Sequence, residues 1–257
     1  MRKALGTYTA LILAALYAPI LVMTAFSFNA SEYLRWTGFT LEWYGRAWGN
    51  RDLRSALANT LILASVSMVL STVLGTMAAL AARPAFRGKK LYATLVSLPV
   101  MVPDIVLAVA LLALFRALEV PLSLGTAAVA HTTFNLSYVA VVVSARLQGM
   151  DRSIELAARD LGATPWGAFW KVTFPAILPG VLSGALLAFT LSFDDFAVTY
   201  FTSGTGNSTL PMMVYSMVRF KVTPEINALS TALLVASLGL IIASLRLSRV
   251  PIAGGGR

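Results

Sequence analysis

Three aspartates, Asp104, Asp194 and Asp195, lie inside long apolar stretches of this 257-residue sequence. A carboxylate near the centre of a bilayer costs about 2.5–3.5 kcal/mol, so such groups normally face a cavity or a partner. None of the six apolar stretches contains a lysine or an arginine that could neutralise them. We therefore expect a cation from outside the chain to complete this acidic set.

Aromatic residues surround the same positions. Phe193 and Tyr200 flank the adjacent aspartates, and Phe134 and Tyr138 lie in another apolar stretch. Aromatic faces attract ammonium groups, so these four rings are candidates for lining a pathway for organic cations. Ordinary helix packing is the alternative for each ring. The single histidine, His131, cannot form a histidine-rich metal site in a chain without cysteine, and we expect it to hydrogen-bond between helices.

The geometry of the aspartates depends on the helices that carry them. On a continuous helix, Asp194 and Asp195 would point about 100° apart, so we do not expect both to face one pore. Either could instead cap a broken helix, pair with an arginine of a partner, or be protonated. Pro99 and Pro103 precede Asp104 and predict a kink, because proline removes a helical hydrogen bond. Broken helices of this kind commonly line transport pathways.

The composition indicates that these helices cross a membrane. Hydrophobic residues make up 58% of the chain and charged residues 12%, about half the 25% that is typical of soluble domains. Six apolar runs of about 20 residues predict an all-α membrane protein with six transmembrane helices in one domain, residues 1–257. The first run is too long for the apolar region of a signal peptide, so we expect it to be retained. The predicted helices cover residues 5–28, 57–82, 91–115, 124–145, 177–201 and 226–245.

The distribution of basic residues predicts the orientation. If the N-terminus lies inside, 13 of the 20 lysines and arginines fall in inner segments, and the short loop 83–90 is especially basic. The positive-inside rule then places both termini in the cytoplasm of a bacterial cell. This placement accounts for much of the net charge of +9 without nucleic acid. The outer segment 29–54 is rich in tryptophan and tyrosine, as is typical of membrane interfaces.

The inner segment 146–176 carries signals for two short helices. Asp151 or Ser153 can cap the first, and Gly162 can end it in the left-handed conformation. Thr164, followed by a proline, can begin the second.

Three aromatic residues follow this second start signal. Trp166, Phe169 and Trp170 recur at helical spacing and form an apolar stripe on a segment outside the membrane. Such a stripe is expected to dock on another protein, on the chain's own helices or on the lipid surface.

Several motifs resemble a known family. The run ELAARDLG at 155–162, followed by VTFP at 172–175, resembles the EAA loop of ABC importer permeases. The segments SFDDF at 192–196 and PEINAL at 224–229 resemble the PotC-type permeases of spermidine and putrescine importers. Glu155 stands one residue before the usual glutamate of the loop, which leaves its role open.

The resemblance implies a type I ABC importer permease fold and a loop that seats on a cytoplasmic ATPase. It implies partners as well: a related second permease, two ATPase subunits and an external solute-binding protein that docks on the outer loops. ATP and Mg²⁺ would be bound by the ATPases, and no cofactor is expected here because the chain has no G-x-x-x-x-G-K-[ST] loop. The implied coupling residues are Glu155, Ala157, Ala158, Gly162, Trp166 and Phe169.

The function implied is transport of polyamines by alternating access, without enzymatic activity. The alternatives are the same importer fold carrying another solute, and a secondary transporter driven by protons or sodium, which would leave the EAA-like loop unexplained. An intramembrane protease is disfavoured, because the chain has no G-x-S-x-G-type serine. Whether the pore pairs this chain with itself or with a homologue stays open.

Overall fold

The computed structural model describes residues 2–33, 35–83, 86–220 and 223–248, and the regular structure there is helical. An isolated bridge between Asn29 and Phe39 is the only strand-like pairing in this described part. The helices are α1 (Arg2–Phe26), α2 (Glu42–Gly49), α3 (Arg51–Ala81), α4 (Lys89–Met101), α5 (Asp104–Ala117), α6 (Leu124–Gln148), α7 (Arg152–Asp160), α8 (Pro165–Ala168), a π-helical turn (Phe169–Thr173), α9 (Phe174–Phe193), α10 (Ala197–Thr202), α11 (Leu210–Phe220) and α12 (Pro224–Ser248).

Long apolar helices confirm the all-α membrane class. Among the described residues, four are long and apolar enough to cross a membrane. The bent pair α4 and α5 brings the number to five when it is counted as one span. The predicted number of six is therefore not confirmed, although α12 covers the sixth predicted stretch. The four spans are Gly6–Phe26, Arg51–Ala81, Leu124–Gln148 and Pro165–Phe193.

The third predicted helix, residues 91–115, is wrong as a single element. It breaks between α4 and α5, whose axes are bent by 108°. Val102 is extended, with ψ of 133°, because the following Pro103 disfavours helical backbone before it. The prolines predicted a kink, and the structure has a complete break that makes Asp104 the first residue of α5.

The fifth predicted helix, residues 177–201, is also interrupted. It ends at Phe193, and three residues, 194–196, separate α9 from α10. At its other end, the second short helix of the inner segment does not stop before the span. It continues through the π-helical turn 169–173 directly into α9.

The chain forms two compact units, Met1–Arg54 with Val214–Arg257, and Ser55–Met213. In the first unit, α12 packs against α1 and α2. Asn29 organises the aromatic segment 29–54 there. Its side-chain amide donates to the carbonyls of Tyr33 and Arg35, and its own carbonyl accepts from Trp43 Nε1 at 2.7 Å.

In the second unit, α6 is the most buried helix and packs against α9, and it also approaches α3 closely at Gly75. Small residues permit this approach, as is common between membrane helices. A Cβ added to Gly75 of α3 would lie 2.7 Å from both the Leu136 carbonyl oxygen and Val139 Cβ on α6.

We expect Gly75→Ala to destabilise the permease by about 1–3 kcal/mol, because neither a backbone carbonyl nor a β-branched Cβ can move aside cheaply. Thermal unfolding of the purified chain in detergent measures this loss. The control is Gly6→Ala on α1, where a new Cβ meets nothing within 4 Å. Equal melting temperatures for the two variants would contradict the close packing of α3 on α6.

Candidate functional site

The interruption between α9 and α10 gives the two adjacent aspartates different surroundings. Asp194 terminates α9 with φ −98° and ψ 0°, and its side chain is exposed in the isolated chain. The side chain of Asp195 is only 9% exposed. This difference in exposure arises from a helix break and not from a 100° rotation along a continuous helix. That the two carboxylates do not face one pore stays a prediction.

Asp195 caps α10. Its Oδ1 accepts from the backbone N–H of Val198 at 3.3 Å, and its Oδ2 accepts from the backbone N–H of Thr199 at 2.8 Å. The Thr199 hydroxyl also donates to Oδ2 at 2.9 Å. Asp195 lies two positions before the first residue of α10, and its carboxylate satisfies free amides of the first helical turn, as a capping side chain does. Asp195 therefore starts the helix that follows the break.

His131 on α6 is fully buried and bonds to the same carboxylate. Its Nε2 lies 3.2 Å from Asp195 Oδ2 and its Nδ1 lies 2.7 Å from Ser192 Oγ, which accepts from Ser67 Oγ at 3.0 Å. A neutral imidazole with its proton on Nε2 satisfies this chain, because Nε2 donates to Asp195 and Nδ1 accepts from Ser192. The predicted interhelical role of His131 is confirmed. Asp195 thus has a hydrogen-bond partner within the chain, whereas we expected a cation from outside to complete the whole acidic set.

Asp104 lies at the start of α5 and is exposed in the isolated chain. It shares a face with Ala108 one turn later, and Ala108 is fully buried in a cluster with Phe134 and Val198. Since Val198 belongs to α10, the helix that begins at Asp104 and the helix that Asp195 caps meet in one cluster. Whether Asp104 contacts a solute stays a prediction.

The segment between α6 and α9 has the local geometry expected from its sequence. Asp151 caps α7 by accepting from the Ser153 amide at 2.8 Å, and this backbone hydrogen bond lowers the pKa of Asp151. Gly162 ends α7 with φ +90°, a conformation that glycine adopts without strain. Thr164 then accepts from the Gly167 amide and caps α8.

An apolar surface results on this segment. Trp166 is 70% exposed and stacks on Phe169, with ring centroids 5.8 Å apart. Leu161 is 90% exposed, and Ala157 is exposed whereas Ala158 is half-buried. Large exposed apolar patches of this kind mark a surface that another protein or lipid covers.

Glu155 points toward its own chain. Its Oε2 accepts from Arg83 Nη2 at 3.0 Å and from Thr173 Oγ1 at 3.2 Å, and its Oε1 accepts from Arg159 at 2.9 Å. Burial opposes ionisation of this carboxyl, but the hydrogen bond and charge of Arg83, with Thr173 and Arg159, lower its pKa below the ordinary 4.5. Any contact of Glu155 with an ATPase stays a prediction, since its own chain already engages the carboxylate.

Comparison with known proteins identifies the family to which the chain belongs. Residues 71–250 match the family described as "Binding-protein-dependent transport system inner membrane component". The chain belongs to this family. It is thus a membrane-embedded permease, a transport component and not an enzyme, as its motifs predicted.

The relatives of this permease include named transport proteins. It is 45% identical to the "Putrescine transport system permease protein PotI" of Escherichia coli K12, over 85% of this chain and 81% of the relative. It is 40% identical to the "Spermidine/putrescine transport system permease protein PotC" of Haemophilus influenzae, over 93% of both chains.

Solved structures share its fold. A bacterial ABC transporter involved in import of the polysaccharide alginate matches with a TM-score of 0.69 at 15% identity, over 96% of this chain and 97% of that one. The MetNI methionine ABC transporter matches with a TM-score of 0.63 at 21% identity, over 78% and 98% of the two chains.

The aromatic candidates of the permease separate into packing and accessible groups. Phe134 is 7% exposed and lies 5.3 Å from the His131 ring, and Tyr138 packs against the same cluster. Phe193 is half-buried and stacks on Phe189. Tyr200 is 58% exposed and stacks on Phe196 at 5.5 Å. Tyr200 is therefore the most accessible of the four predicted pathway rings.

Sequence reasoning missed three hydroxyl residues of the permease. Ser192 and Thr199 lie three residues before and four residues after Asp195, a spacing that could have suggested a polar group around one carboxylate. Ser67 lies on α3, 125 residues from Ser192, so local sequence gives no sign of it. Arg83 was likewise counted only as a basic loop residue.

The lowered pKa of Glu155 predicts how its contribution to stability varies with pH. Because the folded pKa of Glu155 is lowered, its carboxylate contributes its full stabilisation above the ordinary pKa of 4.5. This stabilisation is lost as the pH falls through the folded pKa. Wild type should therefore melt at a higher temperature than Glu155→Gln at pH 7, and the difference should shrink below pH 4.5. Thermal unfolding of both chains across this pH range measures it.

The matched control is Glu42→Gln, which removes a carboxylate from an exposed pair with Arg46 and should change little at any pH. A gap between wild type and Glu155→Gln that persists or widens in acid would count against the ion pair.

Proposed function

We propose that this permease is one half of the translocation pore of an ATP-driven importer for polyamines such as putrescine and spermidine. The observation that carries the proposal is an exposed carboxylate, Asp194, at a helix break within an apolar span. No salt bridge among the described residues involves it. The names of the relatives, which include putrescine and spermidine/putrescine systems, agree with a cationic solute.

The membrane arrangement that we propose has six spans, with α12 as the last and the bent pair α4 and α5 as the third. Both termini lie in the cytoplasm of a bacterial cell, since this orientation puts the basic loop 83–90 inside. None of the most apolar window of α1 is buried within the chain. We therefore assign this face of α1 to contact with lipid or with a second permease.

The carboxylates act by offering negative charge to a solute that loses part of its hydration shell in the pore. When the pore is open outward, Asp194 replaces part of the water that an entering ammonium group loses, and Tyr200 offers an aromatic face nearby. Asp195 is already bonded by His131 and α10, so it holds the break in shape and leaves one exposed carboxylate. A single charge binds a cation weakly enough to release it inward. The role of Asp104 at the second break is the same in kind.

The remaining steps belong to partners. An external binding protein delivers the solute, a second homologous permease completes the pore, and two ATPase subunits bind ATP and Mg²⁺. The surface formed by α7, α8 and the start of the π-helical turn, with Gly162, exposed Trp166 and half-buried Phe169, receives the ATPase motion. This chain itself carries no cofactor in the proposed cycle.

Uptake by the reconstituted complex tests the proposal. The permease, its second permease, ATPase and binding protein are placed in proteoliposomes and offered labelled putrescine, spermidine, a neutral sugar and an anionic amino acid. We expect putrescine and spermidine to be taken up when ATP is present on the side of the membrane that carries the ATPase. No uptake is expected when ATP is omitted. ATP-dependent uptake of the sugar or the amino acid in place of polyamines would contradict the assignment.

A further inference from the structure

A largely buried ion pair ties α7 to the end of α3. The side chains of Glu155 and Arg83 are only 17% and 20% exposed, and Nη2 lies 3.0 Å from Oε2. The backbone N–H of Arg83 donates to Leu80 O at 3.1 Å, which fixes Arg83 to the last turn of α3. Thr173, itself 1% exposed, donates to the same oxygen of Glu155 from the turn that leads into α9.

We propose that the Glu155–Arg83 pair is the link through which movement of α7 is passed to α3, and through α3 to the helix break at residues 194–196. The inference rests on the proposed function, because the ATPase supplies the movement of α7. Helix α7 packs against α8 and the π-helical turn, which follow it in the sequence. The ion pair adds a connection to a helix that precedes it by 72 residues.

Helix α3 has the contacts that such a transmitting element needs. Ser67 lies 14 residues before Ala81, the last residue of α3, or about 21 Å along the axis at 1.5 Å per residue. Ser67 donates to Ser192, the residue that also bonds His131. Between these two ends, the close approach at Gly75 keeps α3 against α6. A rigid element attached at both ends can bias the break from a distant site.

The charges make this link strong enough to carry a displacement. Glu155 receives three donors on two oxygens, so its carboxylate cannot rotate without losing at least one bond. Removing Glu155 leaves Arg83 largely buried without its partner, and removing Arg83 takes away the donor to Glu155 that comes from α3. Reversing one charge converts attraction into repulsion. Exchanging the two residues restores an ion pair in the reverse order.

The test uses charge reversal in the complete reconstituted complex. Arg83→Glu, Glu155→Arg and the double exchange are compared for solute uptake and ATP hydrolysis, which together give ATP consumed per solute. Each single variant should raise that ratio about tenfold, with ATPase association and hydrolysis retained, because coupling between sites is lost. The double exchange should return the ratio to within about threefold of wild type, since paired positions are non-additive.

Two controls separate the link from general effects of charge. Arg159→Gln removes another partner of Glu155, but one within α7 itself, so the connection to α3 survives. Arg87→Glu reverses an exposed charge in the same loop as Arg83, and the described residues give it no ion pair. Both controls should keep the ATP-to-solute ratio of wild type.

A cross-link reports on the link independently of transport. The chain has no cysteine, so Arg83→Cys with Glu155→Cys gives two unique thiols that a short bifunctional reagent can join in the purified permease. Failure to cross-link in a folded chain overturns the link. An unchanged ATP-to-solute ratio in Arg83→Glu also overturns it. So does a double exchange whose ATP-to-solute ratio is as high as that of the single variants. If wild-type permease fails to bind its ATPase, the proposed function fails, while the cross-link still decides whether α7 is tied to α3.

Discussion

Replacing Asp194 with asparagine should lower kcat/KM for polyamine uptake about 10- to 100-fold, the loss expected for one charged hydrogen bond to a solute. Asparagine keeps the size of the side chain and removes its charge. Because Asp194 is exposed in the isolated chain and sits at the end of α9, the variant should fold and melt like wild type. Uptake kinetics in proteoliposomes and thermal unfolding in detergent measure the two effects separately.

The neighbouring position provides the matched control. Asp195→Asn changes the same atoms one residue away, but Asp195 caps α10 and bonds His131. Its main effect should therefore be a lower melting temperature. Asp194→Glu, which keeps the charge, should retain most of the uptake. Normal uptake by Asp194→Asn would remove Asp194 from the pathway.

The caps and proline breaks were predictable because their causes are local. The capping contacts join residues only two or three positions apart, Asp151 with Ser153 and Thr164 with Gly167, so both partners stand close together in the sequence. Pro103 fixes its own backbone and that of the residue before it, so a bend before Asp104 could be expected.

The break after Phe193 was predicted only as an alternative, in which one of the two aspartates caps a broken helix. The segment SFDDF contains neither proline nor glycine, and its apolar neighbours favour one continuous span. The cap of Asp195 on α10 is local, but the bonds that hold the break are not, because His131 and Ser192, 61 residues apart, meet across helices. Ionisable groups that face each other only after packing cannot be paired from spacing along a chain.

The same reason explains the incomplete prediction for Glu155. Its position in the EAA-like loop suggested a contact with another subunit, and the structure engages it with Arg83, 72 residues away. The position of the apolar stripe at Trp166 could be predicted because it depends only on helical spacing, and the structure leaves Trp166 and Trp170 exposed. Motif resemblance thus located the surface, and packing decided which of its residues face inward.

His131→Leu should destabilise the permease by about 1–3 kcal/mol, the cost of leaving a buried carboxylate without one of its hydrogen-bond donors. Leucine fills a similar volume but donates no hydrogen bond, so the Asp195 carboxylate loses Nε2 and Ser192 loses its acceptor. Loss of these bonds should also distort the helix break at residues 194–196. Polyamine uptake should therefore fall even when enough folded permease is obtained for the assay. Melting temperature and uptake are compared with wild type.

The double variant His131→Leu with Asp195→Asn distinguishes lost pairing from lost packing. Without a carboxylate to leave unpaired, and with asparagine still able to cap α10, it should be more stable than His131→Leu alone. The control is Asn135→Leu, one turn further along α6, where a fully buried amide has no hydrogen-bond partner among the described residues. That change should be neutral or stabilising, because it removes a buried polar group that forms no bond. If His131→Leu proves as harmless as Asn135→Leu, then Asp195 does not depend on the imidazole, and its carboxylate returns to the set of groups available to a passing cation.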